Sequence, residues 1–237
     1  MPAGILLPPE IFALEEATLE GDVFHHLLRV RRLEEGEALQ AADGFGRCRA
    51  AVLEKIGKKS ATLRLLGELP AKDPEPRLHL LVGALRPERA SWLVEKATEL
   101  GVFALRFLAT ERTPRQYGQG RFERYEKVAT AALEQCLGAR LPLISGVHRM
   151  DEIAGLLPAG ATLWLLDPAA DETLGWPDEA AATREGAVLI GPEGGFSPAE
   201  IDELGRRGAR GARLGPRILR VETAAIAAAA ILLGFSP

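Results

Sequence analysis

Two textures of hydrophobic and polar positions divide this chain. Up to about residue 72 the apolar positions come in short stretches, residues 4–7, 37–42, 47–54 and 61–69, separated by turn signals such as Asp43-Gly44 and Gly57-Lys58-Lys59. Asp-Gly between two strand-like runs predicts a hairpin. The set as a whole predicts a small, mostly β barrel, with residues 22–32 as a short helix. The run Lys72-Asp73-Pro74-Glu75-Pro76, charged and rich in proline, marks the joint, so the predicted domains are 1–72 and 73–237.

Beyond the joint, strands and helices alternate. Residues 78–84 read as a strand. Pro87-Glu88 opens a helix predicted to bury Trp92, Leu93, Ala97 and Leu100, and Gly101 stops it. A strand follows at 102–109. The next helix carries Phe122, Tyr125, Val128 or Ala129, Ala132 and Cys136 on one stripe and ends at Gly138. On that apolar stripe Cys136 reads as a small core residue rather than a nucleophile. Strands at 143–147 and 162–166 come next, the second ending at Asp167-Pro168. Alternating βα units predict a parallel sheet covered by helices.

The most informative stretch is residues 187–233. An apolar run at 187–190 breaks at Gly191-Pro192, and Glu193-Gly194-Gly195 follows. Ser197-Pro198-Ala199-Glu200 combines a capping serine, proline at the first helical position and glutamate three residues after the cap. A second, short strand at 209–214 breaks at Gly215-Pro216, and an alanine-rich helix runs over 221–234. Two strand ends with Gly-Pro loops, and a third at Asp167-Pro168, predict loops facing one crevice at the carboxyl ends of a sheet. Gly191, Gly194, Gly195 and Gly215 would let backbone groups approach a ligand. No G-x-G-x-x-G follows the first of these strands, and G-x-x-x-x-G-K-[ST] occurs nowhere. A ligand without phosphate, such as an adenosine joined to an amino acid, fits these loops better than a nucleotide.

Composition narrows the classes. No apolar run approaches the ~18 residues of a membrane span without a break, apart from an alanine-heavy C-terminal segment that is too short. No basic segment followed by an apolar core opens the chain, so the expected place is the cytoplasm. Two cysteines, Cys48 and Cys136, and four histidines show no metal-ligand spacing, so no metal is expected. The net charge of −4 does not advertise a nucleic-acid binder. Yet Arg29, Arg31 and Arg32 cluster, as do Arg206, Arg207, Arg210 and Arg213, and local basic patches can serve RNA even in an acidic protein. Asparagine is absent and Gln, Met and Cys are few, a bias of heat-adapted proteins that a GC-rich genome also produces.

LIGPEGGFSPAEID followed by LGPRILRVETA resembles the SPOUT methyltransferases, and within them the enzymes that methylate N3 of a uridine in small-subunit (16S) ribosomal RNA. The resemblance extends to His26-Leu27-Leu28-Arg29-Val30 with Gly36 and Asp43-Gly44, residues 95–101, Thr110-Glu111-Arg112-Thr113, and residues 132–136 with Arg140 and Pro142. It implies a C-terminal α/β SPOUT domain whose parallel sheet holds a deep trefoil knot, and a small N-terminal PUA-like β-barrel that binds RNA. It also implies a homodimer and S-adenosylmethionine held in the knotted loops. Asp167 departs from some relatives, which have histidine there.

The cofactor pocket implied by the motifs is Leu166, Gly191, Pro192, Glu193, Gly194, Leu214, Gly215, Ile218, Leu219, Arg220 and Thr223. Uridine N3 is an imide that must lose its proton to be methylated. Arg220 and Arg112 are the candidates for stabilising or positioning the uracil, and Glu193 or Glu222 for accepting the proton. A plainer reading makes Thr223 a helix cap with Glu222 favouring the positive end, and Arg112 an ion-pair partner of Glu111 at a dimer contact. RNA contact falls to Arg29, Arg31 and Arg32. Two rival functions stay open: a ribosome-assembly factor that binds ribosomal RNA without catalysis, and a SPOUT methyltransferase acting on another RNA such as tRNA. Replacing Arg29 and Arg32 together by Ala is expected to weaken ribosomal RNA binding and flatten its salt dependence. A titration in which affinity and salt slope stay unchanged would remove these arginines from the RNA contact.

Overall fold

The short apolar stretches that open the chain become strands of one sheet. The computed structural model describes residues 2–25, 32–75, 77–114, 122–157, 160–177 and 185–234. The chain divides into two units, Met1–Asp73 with Thr130–Leu141, and Pro74–Ala129 with Pro142–Pro237. In the first unit β1 (Ala3–Leu6) leads to the single turn α1 (Pro9–Phe12), then β2 (Glu16–Glu20), α2 (Gly21–His25), β3 (Ala38–Ala42), β4 (Cys48–Ile56) and β5 (Ser60–Leu69). They form one sheet in the order β1-β3-β4-β5-β2, parallel between β1 and β3 and antiparallel elsewhere.

The hairpin at Asp43-Gly44 forms as its sequence predicts, with Ala42 opposite Cys48 and Ala38 opposite Val52. Alternation buries one face: Ile5, Leu19, Leu39, Leu53 and Leu63 meet Leu7 and Phe12 in a single apolar cluster. Strand β2 was not foreseen. It buries only Ala17 and Leu19 between three exposed residues, too few apolar positions to stand out along the chain. The helix expected over 22–32 is described as Gly21–His25, and residues 26–31 of that expectation lie outside the described residues.

The second unit alternates as predicted. β6 (Arg77–Gly83), α3 (Pro87–Glu99), β7 (Ala104–Ala109) and α4 (Phe122–Cys136) come first, the end of α4 belonging to the other unit. Then follow β8 (Leu143–Arg149), a 3-10 turn at Met150–Glu152 running into α5 (Ile153–Leu156), β9 (Thr162–Leu166), β10 (Glu185–Ile190), α6 (Pro198–Arg206), β11 (Arg210–Ala212) and α7 (Val221–Leu232). The six-stranded sheet has the order β11-β9-β10-β6-β7-β8, and every neighbouring pair is parallel. β6 is buried at all but its first residue, the pattern of a strand covered on both faces.

One burial expectation is corrected. Trp92 is 43% exposed, because the inward stripe of α3 is Ala90, Leu93, Val94 and Ala97. Those positions recur at i, i+3, i+4 and i+7, which turns Trp92 to the opposite side. α7 buries Ala224, Ala225, Ala228 and Ala229, small residues that let it lie close over β6, β10 and α3. The chain therefore runs out to the edge strand β11 and returns over the middle of the sheet.

The amino-terminal part of this sheet holds a buried polar chain. Nη1 of Arg106 lies 2.8 Å from Nδ1 of His79, and Nε2 of His79 lies 3.4 Å from Oε1 of Glu185. Arginine only donates, so Nδ1 must accept, and the proton of a neutral ring sits on Nε2, facing Glu185. Burial, and then the charges of Arg106 and Arg77, hold the imidazole below its ordinary value against the opposing pull of Glu185. A depressed folded-state value means that the unfolded chain binds the proton more readily. The stabilisation is full above the unfolded value of about 6.5 and is lost as pH falls from there through the folded value. Urea unfolding between pH 8 and 5 is expected to show falling stability in the wild type and a flatter profile in His79→Gln. Parallel profiles would show that another group carries the dependence.

Candidate functional site

Because its strands are parallel, the sheet delivers the loops after β9, β10 and β11 to one edge. There they enclose a cavity of about 530 Å³, a size that suits a nucleoside-sized ligand. The first loop begins at Asp167, whose N–H donates to the Ala212 carbonyl (3.0 Å) and whose Oδ1 accepts from the N–H of Ala169 (2.8 Å). The second is a tight turn closed by the N–H of Gly195 on the Pro192 carbonyl at 2.8 Å. Room for that turn comes from Gly83 at the end of β6, where a Cβ would collide with the backbone of Pro192. The third runs from Arg213 to Arg220 and ends at the start of α7.

Ser197 caps α6 as predicted, and Glu200 does more than close the capping box. Its Oε2 accepts from the N–H of Ser197 (2.8 Å), while its Oε1 accepts from the N–H of Glu111 (2.8 Å). The segment after β7 is thereby tied to the second loop. Nη1 of Arg112 adds a second tie, donating to the carbonyl of Gly194 at 2.8 Å.

Of the residues named from the motifs, Leu166, Gly191, Pro192, Glu193, Leu214, Gly215, Ile218, Leu219 and Arg220 line the cavity together. Gly194, Arg112, Glu222 and Thr223 are outside its lining. Thr223 is exposed at the third position of α7; the cap is Arg220, whose side chain makes no capping bond, so the plainer reading of Thr223 as a cap is not what forms. Of the arginines named for RNA, Arg29 and Arg31 lie outside the described residues; Arg32 is exposed, with φ of 54°. In the later cluster Arg206 and Arg207 both pair with Glu203, and Arg213 lines the cavity. Among the described residues no group of three or more His, Cys, Asp or Glu is placed to hold a metal ion.

Sequence reasoning missed Arg89. It lies in the first turn of α3, lines the cavity, and joins two of the candidate carboxylates. Its Nη1 is 2.9 Å from Oε1 of Glu193, and its Nε is 3.6 Å from Oε1 of Glu222. The Glu193 side chain is 61% exposed and that of Glu222 only 11%. Oε2 of Glu222 is buried and has no hydrogen-bond partner among the described residues. The signal available was positional: α3 starts just past the carboxyl end of β6, the edge at which ligands gather. Arg213, Arg217, Phe196 and Ile201 also line the cavity and were not named from the motifs as pocket residues.

Removing Arg89 would leave a buried carboxylate without its cation, a loss of about 1–3 kcal/mol. Arg89→Met is therefore expected to lower the urea midpoint, and adding Glu222→Gln should recover part of the loss. Strict additivity of the two substitutions would show that the residues are not coupled.

Residues 72–233 match the RNA methyltransferase domain family, and residues 19–66 match the RNA methyltransferase PUA domain. The chain is 31% identical over 222 residues to the ribosomal RNA small subunit methyltransferase E of Mycobacterium bovis, covering 90% of this chain and 84% of that one. It is 26% identical to the enzyme of that name from Bacillus subtilis, covering 89% and 88%. Among solved structures, the small subunit methyltransferase E of Neisseria gonorrhoeae bound to S-adenosylmethionine superposes with a TM-score of 0.87 at 25% identity, covering 97% and 96%. A methyltransferase of Legionella pneumophila, also with its bound cofactor SAM, gives 0.82 at 29% identity, covering 98% and 97%. With the PUA-like sheet, the parallel sheet and the three-loop cavity in place, the chain belongs to the RNA methyltransferase family.

Proposed function

We propose that this chain methylates N3 of a uridine in the 16S RNA of the small ribosomal subunit, using S-adenosylmethionine bound in the three-loop cavity. The observation that carries the reading is the convergence of the Asp167, Gly191–Glu193 and Leu214–Arg220 loops on one cavity, in a chain of this family. Residues 1–72 would serve as the PUA-like RNA-binding domain and 73–237 as the knotted methyltransferase domain.

The residues present fit that cofactor. Ile190, Phe196 and Leu214 give the cavity apolar surface for an adenine. Gly191, Pro192 and Gly215 bring main-chain groups to the lining, with Leu166, Ile218 and Leu219 around them. Gly194 and Thr223 would act indirectly, through the turn and the helix start that they build. When bound, S-adenosylmethionine supplies a methyl group from its sulfonium sulfur.

The chain itself must align the acceptor, take one proton and neutralise one developing charge. Glu193 lines the cavity and is the group assigned to take the N3 proton; Glu222, behind it, holds Arg89. Arg220, at the cap of α7, would face negative charge on the uracil oxygens. Arg112, fixed on the Gly194 carbonyl, would position the base from the second loop. Ile218, 87% exposed on the rim, supports a second copy of the chain closing over this face, so the working unit is read as a homodimer. A ribosomal substrate would be met in the cytoplasm, the location expected from the sequence.

The test uses labelled S-adenosylmethionine with small subunits from a strain lacking the gene, with naked 16S RNA and with tRNA. Label in 16S RNA, recovered as 3-methyluridine after digestion, is the expected result, with Glu193→Gln lowering kcat by about 10²-fold. Label in tRNA alone would move the enzyme to another substrate. Absence of both label and calorimetric cofactor binding would leave a non-catalytic assembly factor.

A further inference from the structure

The turn between β3 and β4 holds an aromatic ring in solvent on an immobilised backbone. Phe45 is 65% exposed, the most exposed Phe or Trp among the described residues. Single exposed apolar residues are ordinary. What sets this one apart is how firmly the turn beneath it is fixed. The Asp43 carboxylate is buried; its Oδ1 accepts from the N–H groups of Phe45 (2.8 Å) and Arg47 (3.0 Å), and its Oδ2 from Nε of Arg47 (2.7 Å). Burial pushes this carboxyl up, but the bonds from Arg47 and Phe45 outweigh it and hold the group below the usual carboxylate range.

A second strip of chain clamps the other side of the turn. The N–H of Gly46 donates to the Ala139 carbonyl (3.1 Å), and the N–H of Leu141 to the Gly44 carbonyl (3.0 Å). Gly46 sits at φ of 105°, and a side chain there would strike the Arg140 guanidinium, which packs directly against it. Every tie is to the backbone or to the flanking residues. The ring of Phe45 is left outside.

The Arg47 side chain, two residues along, is 60% exposed, with its guanidinium on Asp43 and 5.2 Å from the centre of the Phe12 ring. Arg49, beyond Arg47 on β4, donates to the carbonyls of Phe12, Leu14, Leu65 and Leu66 rather than to a carboxylate. The Asp43 and Asp73 carboxylates are taken up by the turn itself: Asp43 by Phe45 and Arg47, and Oδ1 of Asp73 by the N–H groups of Ala139 and Arg140. An exposed π-face on a fixed turn, with a half-exposed arginine two residues along, is the recognition chemistry of an unpaired base and its phosphate.

We propose that Phe45 is a stacking platform for an unpaired base of the RNA substrate, with the exposed Arg47, two residues along the same turn, for an adjoining phosphate. This rests on the reading of the chain as an RNA-modifying enzyme and adds to it a base-contacting residue away from the cofactor cavity. Because the turn is already fixed, stacking immobilises little beyond the ring itself.

The test is anisotropy titration of full-length protein with fluorescein-labelled single-stranded oligouridylate and with 16S RNA. Wild type, Phe45→Ala, Phe45→Leu and Phe45→Trp would be compared. Loss of one base stack corresponds to weakening on the order of tenfold in the Ala variant. Leu should remain weak because it lacks a π-face, and Trp should bind at least as well as Phe. The salt slope should not change, since no charge is removed. Calorimetry with S-adenosylmethionine serves as the check that each variant is folded. Unchanged RNA affinity in Phe45→Ala, or Leu binding as well as Trp, would overturn the platform. So would a change in sedimenting mass, which would assign the ring to a contact between copies. A wild-type protein that binds neither RNA would instead overturn the underlying RNA reading, and the platform with it.

Discussion

In a parallel sheet every strand points the same way, and the site of this protein follows from that constraint. β9, β10 and β11 are neighbours, so their carboxyl ends deliver Asp167, Gly191-Pro192 and Leu214-Gly215 to one edge. The helices that follow then start at that edge and bring their first turns with them. α7 contributes Arg220 and Glu222, and α3, entering after β6, contributes Arg89. Strand direction thus collects residues from four separate stretches of sequence without any local motif linking them.

Charge balance at this edge is uneven, and the unevenness has a mechanical consequence. A charge pair 3.6 Å apart at an effective dielectric of about 20 attracts by roughly 4–5 kcal/mol before desolvation is subtracted. The Arg89–Glu222 contact sits largely out of water, so it keeps more of that attraction than a surface pair would. The Arg89–Glu193 contact is shorter, but Glu193 is mostly exposed and its contribution is screened. Arg89 is therefore anchored by Glu222 and only loosely held by Glu193. A ligand in the cavity could draw Glu193 away while Arg89 stays in place.

Features whose cause is local could be read along the chain. Ser197, Pro198 and Glu200 start a helix because their own side chains and ring satisfy its first turn, and the capping box forms. Asp43-Gly44 closes a hairpin for an equally local reason. The Gly-Pro breaks at residues 191–192 and 215–216 fall beyond strands that neighbour one another only through β9, so their meeting could be inferred from the βα pattern but not their partners. Arg89 stands 104 residues from Glu193, and no spacing rule connects them. Trp92 was misplaced because an apolar residue was taken as an inward one, although its own helix has an inward stripe of smaller residues. Glu200 illustrates the limit well: its capping role was legible, while its bond to the N–H of Glu111 depends on which strands are neighbours.

The same sheet carries a second polar group, and comparing the two separates support from function. A buried histidine with a depressed titration invites a catalytic role. His79, however, pairs in register with Ala104 and Ala187, near the amino ends of their strands, and its polar neighbours Arg106 and Glu185 use both ring nitrogens. It is three residues short of Val82, on the order of 10 Å along the strand from the edge where the loops converge. Its hydrogen bonds are closed, whereas Glu222 at the other edge keeps one buried oxygen unbonded among the described residues. A satisfied network ties three strands together and asks for nothing further. A buried carboxylate beside a cavity, paired with a guanidinium that also reaches the lining, instead fixes that guanidinium at the edge where the loops meet.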